Sequence, residues 1–360
     1  MTRSPRRPSD PDLDEREIEV LKSVILGHIS TGEPVGSKMV AEGAARVGSP
    51  ATVRSVMASL EERGLLTQPH TSAGRVPTDA AWRFYVDHLM GRPRMAAASA
   101  QAIETTLMAS HGEIEDLLSE ASRLLSRFSK QVGVVVAPEL GAVVVEKLEF
   151  ARLSERRTVA VIIGRSGIVH HRVLELDASI EADELERIGR YLTDEFAGMT
   201  LPDMREELLR RIGADREAHD ALVQRGHELA RRAVEVDAGP TGVFVEGTAN
   251  LLDSPEFADV ARMRNLVRAL EEKRRLVGLL GRVLEGRGVH VLIGDEAAES
   301  GLESCSLVAS AFDAGGAGAG TIGIVGPTRM EYIKAIALVE HFARVLSRLL
   351  SPRDDDRGRG

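Results

Sequence analysis

Between Ser49 and Gly64 the chain reads SPATVRSVMASLEERG, a helix with punctuation at both ends. Ser49 can accept a hydrogen bond from first-turn amides, Pro50 fits the first helical position, and Gly64 lets the backbone leave in a left-handed conformation. Val53, Met57 and Leu60 form the buried stripe, which leaves Thr52, Arg54 and Ser55 off that face. Two short segments that can extend, 65–70 and 75–78, follow at once. They are joined by TSAG, where Gly74 permits a left-handed turn. Upstream, Leu13 to Thr31 places Ile18, Leu21, Ile25 and Ile29 at helical spacing, with Asp12 and Glu15 as a capping box. A second short helix fits Ser37 to Ala45. Three short helices closed by a β-hairpin make a winged helix-turn-helix. Thr78 then caps a further helix, with Asp79 in its first turn and Trp82, Tyr85, Val86 and Leu89 as its packing face.

The hairpin gathers His70, Thr71, Ser72 and Arg75 into one polar knot. Nucleophile and base seldom come from neighbouring positions, and no Gly-x-Ser-x-Gly elbow surrounds Ser72, so a loop of hydrogen-bonding groups is expected and no enzyme. Three helices with a hairpin serve as packing or protein-binding modules as well as on DNA. Two features favour double-stranded DNA. The first turns of the third helix offer Thr52, Arg54 and Ser55, types that reach base edges and phosphates, and Ser49 with the helix N-terminus suits a phosphate. The wing carries a lone Arg75, suited to a minor groove or a backbone.

Charge bears on the same question. The chain is acidic, at −9 over 360 residues. The first 94 residues hold 13 Lys/Arg against 12 Asp/Glu, a balance of +1. The acidity therefore lies downstream, and the N-terminal quarter is free to present a basic face. The length implies two or three domains. Apolar runs are too short to span a bilayer, and no apolar stretch follows Arg3, Arg6 and Arg7, so neither membrane segment nor signal peptide is expected. The single cysteine, Cys305, fits a reducing cytoplasm and leaves no multi-cysteine metal site.

From Val132 the pattern changes to strands: VGVVVAP, VVVEKLEF, RRTVAVIIG and GIVHHRVLEL. Charge-rich helices are expected over 181–236, then the strand TGVFVEG, a long helix from Pro255 to Glu285, three strands and a last helix from Met330 to Leu350. Hairpins mixed with helices indicate an α+β class. Gly318, Gly320 and Gly323 spell a dinucleotide fingerprint, but they precede a β-branched strand where the fingerprint needs a helix. The ten histidines show no metal-binding spacing, and no cofactor or metal is expected.

EPVGS (33–37), SPATVRSVMASLEERGLL (49–66) and QPHTSAGRVPTDAAWRFYVD (68–87) resemble the HrcA family, bacterial heat-inducible transcription repressors. The likeness continues in EGTANLLDSPEF (246–257), VHVLIGDE (289–296) and GTIGIVGPTRMEYIKAI (320–336), so it covers nearly the whole chain. It implies a winged helix over 1–94, a GAF-like α/β domain from 95–143 and 237–352, and an inserted α+β dimerisation domain at 144–236; the charged composition of 353–360 reads separately as a disordered tail. It also implies a homodimer on an inverted-repeat operator called CIRCE, upstream of chaperonin and DnaK-type operons, released on heat stress and modulated by the GroE chaperonin. Position by position, Ser49, Ala51, Thr52, Arg54 and Met57 agree with the family's recognition helix, and His70 to Arg75 agree throughout. Ser55 stands where Asn is usual and Val56 where Glu is usual. Asn pairs bidentately with adenine and Ser does not. Either position 55 reads no base, or the operator differs there. The alternative reading is a metabolite-sensing regulator with the GAF-like domain as ligand pocket.

Overall fold

The computed structural model describes residues 11–350 except 44–46, 71–72, 111–113, 139–143, 166–168, 177–178, 215–220, 235–241, 253–254, 258, 285, 287, 301, 303–304 and 316–317. It is an α+β chain with separate antiparallel sheets. Helix α1 (Glu15–Thr31) begins later than its first apolar residue suggests. The sequence offers two overlapping capping boxes, and the one used is Asp14 with Glu17. Tertiary contacts explain the choice: Glu17 turns inward, where Ser59 Oγ donates to it at 3.0 Å and Arg63 pairs with it at 3.4 Å. Helices α2 (Ser37–Gly43) and α3 (Pro50–Glu62) follow. In α3, Ser49 caps the helix and Val53, Met57 and Leu60 are buried, as the spacing predicts.

Strands β1 (Leu66–Thr67) and β2 (Val76–Pro77) pair antiparallel, Leu66 opposite Pro77 and Thr67 opposite Val76. The Thr78 hydroxyl accepts from the Ala81 amide and starts α4 (Asp79–Phe84), which runs into one wide π-helical turn, Tyr85–Leu89. Gly74 does not adopt the left-handed conformation expected of it. Its need is proximity instead: a Cβ there would overlap the Val35 carbonyl and lie 2.8 Å from the Pro34 carbonyl carbon.

Helices α5 (Ala97–Ala109) and α6 (Ile114–Ser129) lead to β3 (Val132–Val136). Strands β4 (Val145–Arg152), β5 (Arg157–Gly164) and β6 (Val169–Glu175) form a three-stranded sheet, followed by α7 (Ala182–Phe196), α8 (Leu201–Ala214) and α9 (Ala221–Val234). Alternation along β5 buries Thr158, Ala160 and Ile162 on one face. Strand β7 (Val243–Glu246) then joins β3. The single helix expected from Pro255 is two, α10 (Val260–Glu271) and α11 (Lys273–Leu284), divided at Glu272, whose carboxylate pairs with Arg275 in the first turn of the second.

Strands β8 (Val289–Ile293), β9 (Cys305–Asp313) and β10 (Ala319–Pro327) complete a five-stranded sheet in the order β7-β3-β10-β9-β8, and α12 (Tyr332–Leu350) closes the fold. Gly320 and Gly323 lie inside β10, so the glycine fingerprint opens no helix. Strand alternation sends Val132, Val134, Leu307 and Ala309 into one core with Leu276, Leu279 and Leu280 of α11. Val135, Val308, Ile322 and Ile324 go into the other, with α6 and α12. Among the described residues no helix is long and apolar enough to cross a membrane.

Where α12 meets α5, His341 is 8 % exposed with Nε2 3.8 Å from Glu104. Burial pushes its pKa below the ordinary 6.5, outweighing the Ala100 backbone hydrogen bond and the charge of Glu104, while Arg344 and Arg348 push the same way as burial. The unfolded chain therefore takes up this proton more readily than the fold. Stability present above pH 6.5 is expected to decline as the pH falls below it. Denaturant melts from pH 8 to 5 should show a decline that His341→Gln flattens; equal slopes would remove His341 as the cause.

Candidate nucleic-acid interface

The exposed face of α3 is prepared by its cap. Ser49 Oγ accepts from the Thr52 amide at 3.3 Å and lies 3.1 Å from Thr52 Oγ1, so the two hydroxyls hold the first turn together. Thr52 is half-buried by this pairing. Arg54 and Ser55 are exposed on the next turn, and Arg54 has no ion-pair partner among the described residues. Val56 is half-buried against the apolar core, which accounts for an aliphatic residue there. The helix thus presents a capped N-terminus, a free guanidinium and a small hydroxyl, a set able to contact phosphates and base edges.

The hairpin is anchored from behind. Val35 and Arg75 exchange both backbone hydrogen bonds at 2.9 Å, tying the loop between α1 and α2 to the start of β2. His70 is exposed and its carbonyl accepts from the Ala73 amide at 2.8 Å, while Gln68 Nε2 donates to Ala73 O at 3.0 Å. Thr71 and Ser72 lie outside the described residues. Arg75 points to α3: its guanidinium meets Glu61 at 2.9 Å and its side chain is 17 % exposed. In this arrangement it braces the hairpin against α3, and His70 and Arg54 are the outward-facing groups.

A second cluster, in which the sequence reading gave Asp79 and Trp82 only a place in their own helix, fixes this module to the five-stranded sheet. Arg83 of α4 donates to both Glu296 carboxylate oxygens, to Val291 O at 2.7 Å, and to Asp87 at 3.4 Å. Burial alone would lower the Arg83 pKa; the hydrogen bonds and charges of Glu296 and Asp87 together outweigh it and raise it. Asp79 accepts from the Asp295 amide at 3.1 Å, yet burial still lifts its carboxyl above the ordinary range. Arg329 pairs with Glu256 and reaches Ile29 O at 3.4 Å at the end of α1. Trp82 packs on Tyr332 with ring centroids 5.8 Å apart, and Tyr332 Oη donates to Thr328 O at 2.6 Å with Ser306 Oγ at 2.7 Å. The signal for this cluster was present: Asp79, Arg83, Glu256, Glu296, Arg329 and Tyr332 all sit in the blocks that carry the family resemblance.

Comparison with known proteins decides the family. A family model described as the HrcA protein C terminal domain matches residues 115–336. A heat-inducible transcription repressor HrcA of Geobacter sulfurreducens is 40% identical over 339 residues, covering 94% of this chain and 98% of that protein. The chain belongs to the HrcA family of heat-inducible transcription repressors. The HrcA of Syntrophobacter fumaroxidans is 37% identical over 346 residues, covering 96% of this chain and 99% of its own length. A crystal structure of a hypothetical protein at 2.2 Å resolution superposes with a TM-score of 0.65 at 22% identity, over 94% of this chain and 99% of that one, a likeness of fold. In an HrcA-family repressor, an exposed, capped helix N-terminus beside a braced hairpin is where contact with DNA is to be sought.

Proposed function

We propose that this chain represses chaperonin and DnaK-type operons by binding, as a homodimer, a CIRCE-type inverted repeat. Residues 1–94 act as a winged helix, 95–143 with 237–352 as a GAF-like domain, and 144–236 as an inserted dimerisation domain. The observation that carries the reading is the exposed pair Arg54 and Ser55 behind the Ser49 cap, with His70 on the neighbouring hairpin. Thr71 and Ser72 are assigned to the same surface from the sequence. Arg75 acts there through its brace on Glu61.

Dimerisation has its own support. The outer face of the β4-β5-β6 sheet sets Val159 opposite Val173 and Ile163 opposite Val169, with Val169 48% and Val173 41% exposed. An uncovered apolar sheet face of this kind suits a self-complementary two-fold contact. A dimer then brings two α3 helices to half-sites about one helical turn or a multiple apart, and the two-fold of the protein matches that of the repeat.

Release on heating follows if the fold that aligns α3 is lost a little above growth temperature and the GroE chaperonin restores it. Fluorescence anisotropy tests the reading, with one duplex carrying the CIRCE repeat and another a scrambled repeat at equal salt. Strong preference for the repeat is expected, and Arg54→Ala should weaken it by about 1–3 kcal/mol without moving the melting temperature. Equal binding to both duplexes would shift suspicion to an operator altered opposite Ser55. No binding to either by folded dimer would end the proposal.

A further inference from the structure

A cleft of about 470 Å³ opens beside the joint just described. Its walls come from three parts of the chain. Leu26 and Ile29 of α1 contribute from the N-terminal module, Met95 from just before α5 and Ser99 from its first turn, and Ile333 and Leu338 from α12. Phe128 at the end of α6 extends the apolar lining. The size suits a small organic molecule, and a mostly apolar wall with few polar groups is the usual make-up of such sites.

Three groups give the cleft chemical direction. Tyr85 is 3% exposed and lines the cleft, and its hydroxyl has no hydrogen-bond partner among the described residues. The hydroxyl is not sealed off from the cleft, so a ligand acceptor there can receive its hydrogen bond. Arg94 and Lys334 stand in the lining as exposed cations with no ion-pair partner among the described residues. One acid, Glu331, shares the lining and is also exposed. With Glu331 offsetting one of the two cations, the lining keeps one net positive charge and a hydroxyl donor beside an apolar hollow, which suits an apolar chain or ring ending in a singly charged carboxylate.

We propose that this cleft binds an amphipathic carboxylate, with the acid group held by Arg94 and Lys334, the Tyr85 hydroxyl donating to it, and the apolar body lying between α1, α5 and α12. The site goes beyond the operator reading and stands whether or not that reading holds. Because its walls belong to both the N-terminal module and α12, a bound molecule holds the two together and raises the temperature at which they part.

The lone tryptophan makes the test direct. Trp82 packs on Tyr332, whose side chain borders the cleft, so its emission reports on occupancy. Decanoate below its micellar concentration should change Trp82 emission saturably with one site per chain and raise the melting temperature, while decanol binds more weakly. Arg94→Gln with Lys334→Gln should weaken decanoate by about tenfold or more and leave decanol unchanged. Tyr85→Phe keeps the ring and should weaken decanoate alone. The double variant alters only exposed side chains, so it remains informative if Tyr85→Phe fails to fold. Decanoate bound no better than decanol, decanoate binding untouched by the double substitution, or no saturable response at all would each overturn the site.

Discussion

Replacing Gly74 by alanine is expected to destabilise the N-terminal module by about 3.5–5 kcal/mol and to remove operator binding with it. The added Cβ would overlap the Val35 carbonyl, which is backbone and has no rotamer through which to move aside. Relief requires separating residue 74 from Val35, and the paired Val35–Arg75 hydrogen bonds are lost with that contact. Each bond contributes about 1 kcal/mol net, and exposing Val35, now 1% accessible, adds about 1.5–3 kcal/mol. The Arg75–Glu61 brace would go as well, leaving the hairpin unaligned with α3. Thermal unfolding followed through Trp82, with anisotropy on the CIRCE duplex, checks both halves. Gly64→Ala is the control: Gly64 has a left-handed φ of +75° but open space around it, so only a backbone cost of about 1 kcal/mol is expected. A Gly74→Ala protein that melts with the wild type would show that the Val35 contact carries little weight.

The helix-and-hairpin module was legible because its signals are local. Ser49 and Thr78 cap the helices they precede, and Pro50 with Val53, Met57 and Leu60 fixes both start and face of α3. Strands β5 and β10 were readable as strands for the same reason, since short β-branched runs are a local signal. Misreadings arose where distant residues decide. Asp12–Glu15 and Asp14–Glu17 are equally good boxes in sequence, and Ser59 with Arg63 selects the second. Gly74 reads as a turn residue, but a carbonyl 39 positions earlier imposes the requirement. Of the expected DNA-contact residues, Arg54, Ser55 and His70 are presented outward, whereas Arg75 is spoken for by Glu61.

The blocks that carry the family resemblance also meet in space. Trp82 and Arg83 come from block 68–87, Glu256 from 246–257, Glu296 from 289–296, and Arg329 and Tyr332 from 320–336. Apart from the Arg83–Asp87 contact, these charged residues find their ion-pair partners in other blocks; together they form a joint that sets α1 and α4 against the five-stranded sheet. Charged pairs of this kind add directionality more than net stability, because desolvation offsets much of their attraction. Stability at the joint must come chiefly from its apolar centre, Trp82 against Tyr332.

Trp82→Ala should therefore have the largest effect of any single change at the joint. Trp82 is 2% exposed, touches the His28 ring at 6.2 Å and the Tyr332 ring at 5.8 Å, and so links α1, α4 and α12. Truncating a buried tryptophan to alanine costs about 3–5 kcal/mol, through lost burial and the cavity left behind. Its removal also leaves Tyr332 without an aromatic partner beside the polar Arg83–Glu296 contacts, so the module should separate from the sheet at lower temperature. Calorimetry in place of fluorescence should record a much lower melting temperature, and operator binding should disappear on heating well before it does in the wild type. Arg54→Ala supplies the contrast, weakening the operator complex at every temperature with an unchanged melt. If Trp82→Ala kept both the wild-type melt and the wild-type temperature of release, α4 would be held by its ion pairs, and heat release would have to originate elsewhere in the fold.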